Sequence, residues 1–332
     1  MFEPPRCPNP RCTQHAHPTP GFYVRRGYFR ARCRPHPTPR FQCRVCHKWF
    51  SRQTFRADYH DRKPHLNVAV IQFLCSGVGF RQTARMLGLT RNNLEAKARK
   101  ISRNARWLDQ NLKERAAALD VERPSAEPLE IHFDEFETYE TRRNTRPLSI
   151  AVAIESHTRF LIAASAAPIR PRGKMTAARK AAIEAEDQRF GPRKDRSRLS
   201  CRWAFRAARR LRPKCTSVVL RSDEKSSYPG LLRRAFRGVS IAHLRTKSVA
   251  PRNEANPLFP INHTEALLRD LVGRLRRESW LVSKQRTFLN LHLSLYAAWR
   301  NWVRPRFNHE EHTPAQYAGF ARRRLRPSEL VG

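Results

Sequence analysis

Three consecutive stretches, LEIHFDEFETYE (129–140), PLSIAVAIESH (147–157) and TRFLIAASA (158–166), decide the fold of this chain. They are rich in β-branched and aromatic residues, and only short turn-like segments separate them. This texture predicts three successive antiparallel strands.

The segments that follow predict alternating helices and parallel strands. A basic segment at about 170–198 is read as an insertion, because it has no clear hydrophobic period. Further elements are then expected in this order: a helix (201–211), a strand TSVVLRSD (216–223), a helix near 226–236, a strand VSIAHL (239–244) and long helices from about Thr264. Three strands followed by helix, strand, helix, strand and helix is the order of a ribonuclease H-like α/β domain, here predicted at 130–304.

Two acidic residues are predicted to meet at one place in this domain. Asp134 lies in the middle of the first strand, and Asp223 lies just past the buried fourth strand. Two carboxylates that lie close together against a hydrophobic core repel each other. A divalent cation between them removes this repulsion, as in a two-metal phosphoryl-transfer site. Glu135 and Glu224 are the alternative ligands at these two positions.

A third carboxylate is expected from a later helix that crosses the same edge of the sheet. Glu265, in FPINHTEALLRDL, is the best candidate. Its alternative role is structural, because Asn262 followed three residues later by Glu265 matches a capping box. The sequence leaves both interpretations open.

The charge of the chain points to a polyanionic partner. The 332 residues carry 66 Lys+Arg and 28 Asp+Glu, which gives a net charge of +38. Such an excess repels itself in a compact fold unless a polyanion shares the surface, and nucleic acid is the abundant polyanion of a cell. The length suggests two or three domains. No stretch is long and apolar enough for a membrane span and no signal pattern opens the chain, so we expect a cytosolic protein with mostly reduced cysteines.

The eight cysteines are concentrated near the N-terminus. Cys7 and Cys12 form one pair, and Cys43 and Cys46 form a second pair in CRVC. Two pairs on tight turns can supply four thiolates to one tetrahedral Zn²⁺, with the segment between them forming the hairpin of a zinc ribbon at 1–58. One of three further residues could replace one ligand: Cys33, His36 or His47.

A helical pattern follows between 64 and 120. Apolar residues recur at helical spacing, and GVG (77–79) and Gly88 interrupt them, which predicts a helix-turn-helix. The outward residues of its last helix are polar donors suited to phosphates and base edges: Arg91, Asn92, Asn93 and Lys97. A plain three-helix cap with a solvated basic face is the alternative. The polar segment 121–129 is expected to be a linker.

Basic residues continue to the C-terminus. Arg269, Arg276 and Lys284 are predicted to lie along the helix that carries Glu265, where a phosphate backbone would approach the carboxylates. Residues 305–332 are expected to form a basic C-terminal tail.

Several of these motifs together resemble bacterial insertion-sequence transposases of the DDE class, those with an N-terminal zinc ribbon and a helix-turn-helix. The resemblance covers nearly the whole chain. It is carried by five segments: FQCRVCHKWFSRQTFR (41–56), FRQTARMLGLTRNNL (80–94), IHFDEFETY (131–139), VVLRSDEKSSY (218–228) and NPLFPINHTEALLRDLVGRLRRESWLVSK (256–284).

The resemblance implies a function and a set of site residues. Asp134, Asp223 and Glu265 would bind two Mg²⁺ (or Mn²⁺) ions, which activate water to nick the end of the element and then activate the freed 3′-hydroxyl to attack target DNA. It also implies binding to terminal inverted repeats, a homodimer or larger assembly, and a place in the bacterial cytoplasm with the nucleoid. One departure is that the smallest members have a glutamate where this chain has Asn262.

Two further functions remain open from the sequence. One is a non-catalytic DNA-binding regulator, in which the β domain mediates dimerisation. The second is a ribonuclease H-like nuclease that cleaves but does not join strands.

Overall fold

A computed structural model describes residues 2–30, 36–122, 126–247, 249–251 and 253–331. Its N-terminal part holds a short helix α1 (Thr13–Ala16) and three strands, β1 (Tyr23–Phe29), β2 (Thr38–Cys43) and β3 (Trp49–Ser51). The strands form one antiparallel sheet in the order β1-β2-β3. The rings of Phe22, Phe41 and Phe50 pack beneath it beside the buried cysteines.

Three helices follow, at the place predicted for the helix-turn-helix. They are α2 (Asn67–Leu74), α3 (Phe80–Met86) and α4 (Arg91–Glu122). Gly77 and Gly88 adopt positive φ in the two turns, a conformation that favours glycine. At Gly77 a Cβ would lie 2.3 Å from the carbonyl oxygen of Asp270, so no larger residue fits. The third helix does not stop at the motif but continues without a break over 32 residues.

A five-stranded mixed sheet forms the centre of the larger part of the chain. Its strands are β4 (Leu129–Tyr139), β5 (Pro147–Glu155), β6 (Leu161–Pro168), β7 (Ser217–Ser222) and β8 (Ser240–Arg245). They lie in the order β6-β5-β4-β7-β8; the pairs β4/β5 and β5/β6 are antiparallel, and β4/β7 and β7/β8 are parallel. This is the order and polarity of a ribonuclease H-like sheet, as predicted.

Helices cover both faces of this sheet. They are α5 (Ala177–Phe190), α6 (Ser197–Leu211), α7 (Tyr228–Ala235), α8 (Phe259–Leu271), α9 (Arg286–Trp302) and α10 (Pro314–Tyr317). Helices α6 and α7 bury their apolar sides against one face, together with Ile131 and Phe133. Helix α8 and part of α9 bury theirs against the opposite face, together with Phe136 and Ile150. The predicted insertion at 170–198 therefore contains a helix, α5.

The structure differs from the predicted division into domains in two ways. Residues of α2 and α4, such as Ile71 and Leu94, belong to the same buried cluster as Phe133 of the sheet, so the helix-turn-helix segment does not have a core of its own. The C-terminal segment is not a free tail, since Leu330 and Val331 are buried and the Asn104 side chain donates to the Leu330 carbonyl. Part of the predicted linker, 123–125, lies outside the described residues. In the part that is described, no helix has the length and apolar character needed to cross a bilayer.

Candidate active site and metal centre

Four cysteine sulfurs converge at one end of the N-terminal sheet. The Sγ atoms of Cys7, Cys12, Cys43 and Cys46 all lie within 4.8 Å of one another. The Cys7–Cys46 distance is 3.4 Å and the Cys12–Cys43 distance is 3.9 Å. A tetrahedral Zn²⁺ with Zn–S bonds of about 2.3 Å requires sulfurs about 3.8 Å apart. The donor set therefore fits a structural zinc ion, and it is the set expected from the sequence.

Tight turns aim these sulfurs at a common point. Cys43 ends β2, and the turn closes when the Cys43 N–H donates to the Lys48 carbonyl and the His47 N–H donates to the Cys43 carbonyl. Burial raises the pKa of Cys7 to about 12. Burial also acts on Cys46, but hydrogen bonds outweigh it, led by the one from the Lys48 N–H, and lower the pKa of Cys46 to about 7.

His36 and His47 do not join this group of sulfurs. Both lie outside the set of converging ligand atoms. Cys33, the third residue that could have replaced a ligand, lies outside the described residues.

Asp134 and Asp223 both follow the last pair of the ladder between the neighbouring parallel strands β4 and β7. That last pair is His132 and Arg221. Asp134 lies two residues further along β4, and Asp223 lies one residue past the end of β7. Alternation places Asp134 on the face of the sheet on which Arg221 contacts Glu130 at 2.8 Å.

Glu265 lies on the helix that covers this same face. It is 8% exposed and shares the buried side of α8 with Ile261 and Leu268, which lie four residues before it and three residues after it. Those two side chains pack in the cluster that contains Phe136, two residues after Asp134.

Contacts on either side of Glu265 fix the direction of α8. Before Glu265, the centre of the His263 ring lies 5.8 Å from the centre of the Phe307 ring. The residue before Phe307, Arg306, donates to the carbonyl of His157, which lies beyond the end of β5. After Glu265, the Arg269 guanidinium lies 4.5 Å from the centre of the Phe136 ring. Helix α8 therefore runs along β4 in the same direction, with Glu265 between the two contacts.

The three carboxylates do not form a ligand set. Within the described part of the chain, the four cysteines form the only group of three or more Cys, His, Asp or Glu residues at metal-ligand spacing. The Asp134 and Asp223 carboxylates each accept a backbone N–H, from Glu135 at 2.6 Å and from Lys225 at 3.2 Å.

Glu135, the alternative to Asp134, points to the opposite face. Its carboxylate accepts hydrogen bonds from Ser149 at 2.7 Å and Tyr228 at 2.9 Å, and it contacts the Lys225 ammonium. Burial alone would raise the pKa of Glu135, but the hydrogen bond from Lys225, followed by that from Ser149, lowers it. Burial, assisted by the nearby Glu135 charge, raises the pKa of Tyr228. Glu135 is thus a structural acid that anchors α7 to the sheet.

Glu224 and Asn262 both lie in positions unlike those of the candidate ligands. Glu224, the alternative to Asp223, is exposed. Asn262 is not a helix cap, because α8 begins at Phe259 and Asn262 lies inside it. The capping-box interpretation of Glu265 is therefore wrong.

The predicted DNA-contacting residues of α4 divide into two groups. Arg91, Asn92 and Asn93 are exposed at the start of the helix. Lys97 is buried, contrary to the prediction, because the segment before α2 covers it. Its ammonium contacts Asp61 at 3.0 Å and donates to the Lys63 carbonyl at 2.9 Å. Lys97 is therefore a structural residue in this chain.

The second predicted basic group does not follow one helix. Helix α8 ends at Leu271, so Arg276 and Lys284 lie beyond it, both exposed. Arg269 is on α8, half-buried against Phe136. The predicted basic side chains thus come from several segments rather than from one helical stripe.

The sequence pattern missed two side chains that hold the sheet edge. Asn290 and Asn301 of α9 pair with the outer strand β6, each donating to one backbone carbonyl and accepting one backbone N–H, at Ala166 and Leu161 respectively. A lone asparagine on an apolar helix face is the signal that could have identified them.

Similarity to known proteins is found among solved structures and not among sequences. No family model matches this sequence, and no curated protein matches it. Among solved structures, the catalytic core domain of BIV integrase matches at 17% identity with a TM-score of 0.26, covering 58% of this chain and 94% of that chain. The fold is therefore assigned from the strand order of the central sheet rather than from this match.

Proposed function

We propose that this protein is a DDE-type DNA transposase. It would bind the terminal inverted repeats of an insertion sequence, cleave the strand at the end of the element and join the freed 3′-hydroxyl to target DNA. The observation that supports the proposal is that Asp134 and Asp223 both follow the last pair of the β4/β7 ladder, while the buried side of α8 that carries Glu265 packs with Phe136 of β4.

Asp134, Asp223 and Glu265 would together hold the metal ions. Two Mg²⁺ (or Mn²⁺) ions, when bound, supply Lewis-acid activation of the attacking and leaving oxygens. Adjacent carboxylates repel each other without a cation between them. We therefore expect the three side chains to move together when divalent ions bind.

Charge and exposure support nucleic acid as the substrate. The chain has a net charge of +38. Arg91, Asn92 and Asn93 are exposed at the N-terminus of α4, where they can reach phosphates and base edges. A homodimer or larger assembly in the bacterial cytoplasm, associated with the nucleoid, belongs to the same proposal.

A structural Zn²⁺ held by Cys7, Cys12, Cys43 and Cys46 completes the proposal. The S···S distances support tetrahedral coordination. The small N-terminal sheet has few apolar side chains beyond its cluster of aromatic rings. The metal would supply much of the free energy that folds it.

The test is strand cleavage by Asp134→Asn on a duplex that carries the end of the element. We expect this variant to bind the duplex like the wild type and to lose Mg²⁺- or Mn²⁺-dependent nicking. Glu137→Gln is the matched control, because Glu137 is an exposed acid on the same strand. Normal nicking by Asp134→Asn would overturn the site assignment.

A plasmid-integration assay then separates the reaction types. Joining of the 3′ end to a target plasmid supports a transposase. Cleavage without joining would indicate a nuclease, and binding without cleavage or divalent-metal affinity would indicate a regulator.

A further inference from the structure

A basic cleft lies between the first helix of the helix-turn-helix and the C-terminal segment. It encloses about 830 Å³ and is lined by α2, by the end of α9 and by residues 323–329. Trp299, Arg304, Arg324 and Arg326 are among the residues that line it. We call this feature the arginine cleft.

In the part of the chain that the structure describes, three of the four arginines that line the cleft have no acid partner, and the fourth, Arg323, is paired with Glu329. Within the described residues, Arg304, Arg324 and Arg326 have no carboxylate partner at ion-pair distance. The one acid that lines the cleft, Glu329, is held by the Arg323 guanidinium at 2.7 Å and by the Arg326 backbone N–H at 2.8 Å. An excess of positive charge therefore remains in the cleft.

Arg304 is held in place with part of its hydrogen-bonding capacity unused. Its guanidinium lies 5.3 Å from the Trp299 ring centre, and its Nη2 donates to Asn308 at 3.0 Å. Its Nη1 is buried and has no hydrogen-bond partner. A buried donor without a partner is costly, and an entering anion can offset that cost. Burial lowers the pKa of Arg300 to about 10, and the positive charge of neighbouring Arg304 acts in the same direction.

The backbone presents Arg324 and Arg326 to the same side. Between them Leu325 is anchored by its N–H, which donates to the Trp302 carbonyl at 2.7 Å. Arg326 has extended backbone angles, and residues two apart in an extended segment point to one side. Gln72 and Ser76 of α2 face them with neutral polar groups.

We propose that the arginine cleft binds backbone phosphates of duplex DNA. Guanidinium groups without acid partners are suited to phosphate oxygens, and the polar side chains of Gln72 and Ser76 can complete the contact. The choice of DNA as the source of the phosphate rests on the proposed function. The cleft would add a second phosphate contact beside the helix-turn-helix, away from the carboxylates.

The experiment uses the full-length, zinc-loaded protein and two double variants of equal charge. Arg324→Gln/Arg326→Gln removes two charges from the cleft, and Arg115→Gln/Arg322→Gln removes two exposed charges outside it. Affinity for a short mixed-sequence duplex is measured by anisotropy over a range of salt. We expect the cleft variant to bind about tenfold more weakly, with a salt slope smaller by about 2, and the control variant to change less than about twofold.

A second arm measures the melting temperature in inorganic phosphate against chloride of equal ionic strength. Phosphate should raise the melting temperature of the wild type and the control more than that of the cleft variant. Equal loss of DNA affinity in both double variants would show a net-charge effect only and overturn the proposal, as would wild-type behaviour of the cleft variant.

The two proposals fail in different ways. If the cleft variant binds DNA weakly but still cleaves saturating DNA, the cleft proposal stands independently of the carboxylates. If phosphate stabilises the wild type through the cleft but no duplex binds, DNA is the wrong source of phosphate and the proposed function fails with it.

Discussion

Glu135 and Lys225 form an ion pair that joins β4 to the loop after β7. Each also donates its backbone N–H to a neighbouring candidate carboxylate, Glu135 to Asp134 and Lys225 to Asp223. The ion pair therefore ties together the two backbone segments that carry the candidate ligands.

Lys225→Met should destabilise the protein by about 2 kcal/mol, because it leaves a buried carboxylate without its cation. The value is set below that for a fully buried pair, since the Lys225 side chain is 32% exposed. Urea unfolding at neutral pH measures the effect. The control is Lys247→Met, which removes an exposed lysine; equal stability of the two variants would contradict the role of the pair.

The same pair predicts a pH effect. The pKa of Glu135 is lowered in the folded protein, so its contribution is present above the ordinary glutamate pKa and is lost as the pH falls through the folded value. Lys225→Met should remove this part of the acid sensitivity. A variant that keeps the full wild-type slope at acidic pH would argue against it.

His292 should make the helical core sensitive to acid. It is 3% exposed, and its Nε2 pairs with the Leu74 carbonyl at 2.9 Å, joining α9 to α2. Burial lowers the pKa of His292 from 6.5 to about 3, so the unfolded chain binds the extra proton and stability is lost as the pH falls below 6.5. Between pH 7 and pH 5 we expect a loss of about 2 kcal/mol from this residue.

His292→Phe isolates that contribution, because an aromatic ring remains at the position and the titrating group is removed. Urea unfolding at the two pH values should give a smaller difference for the variant than for the wild type. The remaining histidines titrate in both proteins, so only the difference between the two slopes is interpreted. Identical slopes would show that His292 does not titrate on unfolding.

The order of strands in the central sheet could be predicted because each strand carries its own local pattern. The start of α8 could not, since Pro260 in its first turn looks like a helix breaker although proline is tolerated there. The predicted start near Thr264 was therefore late, and this error created the capping-box interpretation of Glu265. The four cysteines were predictable because metal ligands are confined to a few residue types.

Lys97 shows what a helical period cannot reveal. The helical period predicts which residues of α4 point away from the helices packed against it. The segment before α2, which is distant in sequence, nevertheless folds over Lys97. The same is true of the C-terminus, where composition indicates a basic tail but Leu330 finds a place in the core. Contacts between segments distant in sequence leave no local pattern.

Lys97→Met should therefore reduce stability rather than DNA affinity. It removes a buried cation from Asp61, whose pKa is lowered because hydrogen bonds led by that from Lys97 outweigh burial. We expect a loss of about 3 kcal/mol in urea unfolding. Asn92→Ala/Asn93→Ala, at exposed positions, should weaken DNA binding and leave unfolding unchanged. The reverse pattern would restore Lys97 as a DNA-contacting residue.

One zinc ion per chain is expected in the purified protein, with Cys43→Ser losing it. Cys215→Ser is the control, because Cys215 is a buried cysteine far from the cluster in sequence and outside it. Chelation should unfold the N-terminal sheet and leave the central sheet intact, as followed by hydrogen exchange of the two regions. Full zinc content in Cys43→Ser would contradict the assigned ligand set.

Glu265 and Asn262 offer a test of the third metal ligand. Glu265 lies on the buried side of α8 over the sheet face of Asp134, whereas Asn262 is only half-buried and is not a cap. Glu265→Gln keeps the shape of the side chain but removes the charge that a divalent ion requires, so metal-dependent cleavage should fall by about a hundredfold or more. Asn262→Ala should change cleavage only a few-fold. If the asparagine variant is the one that loses cleavage while Glu265→Gln remains active, the third ligand belongs one turn earlier, at the position where the resembling transposases carry their glutamate.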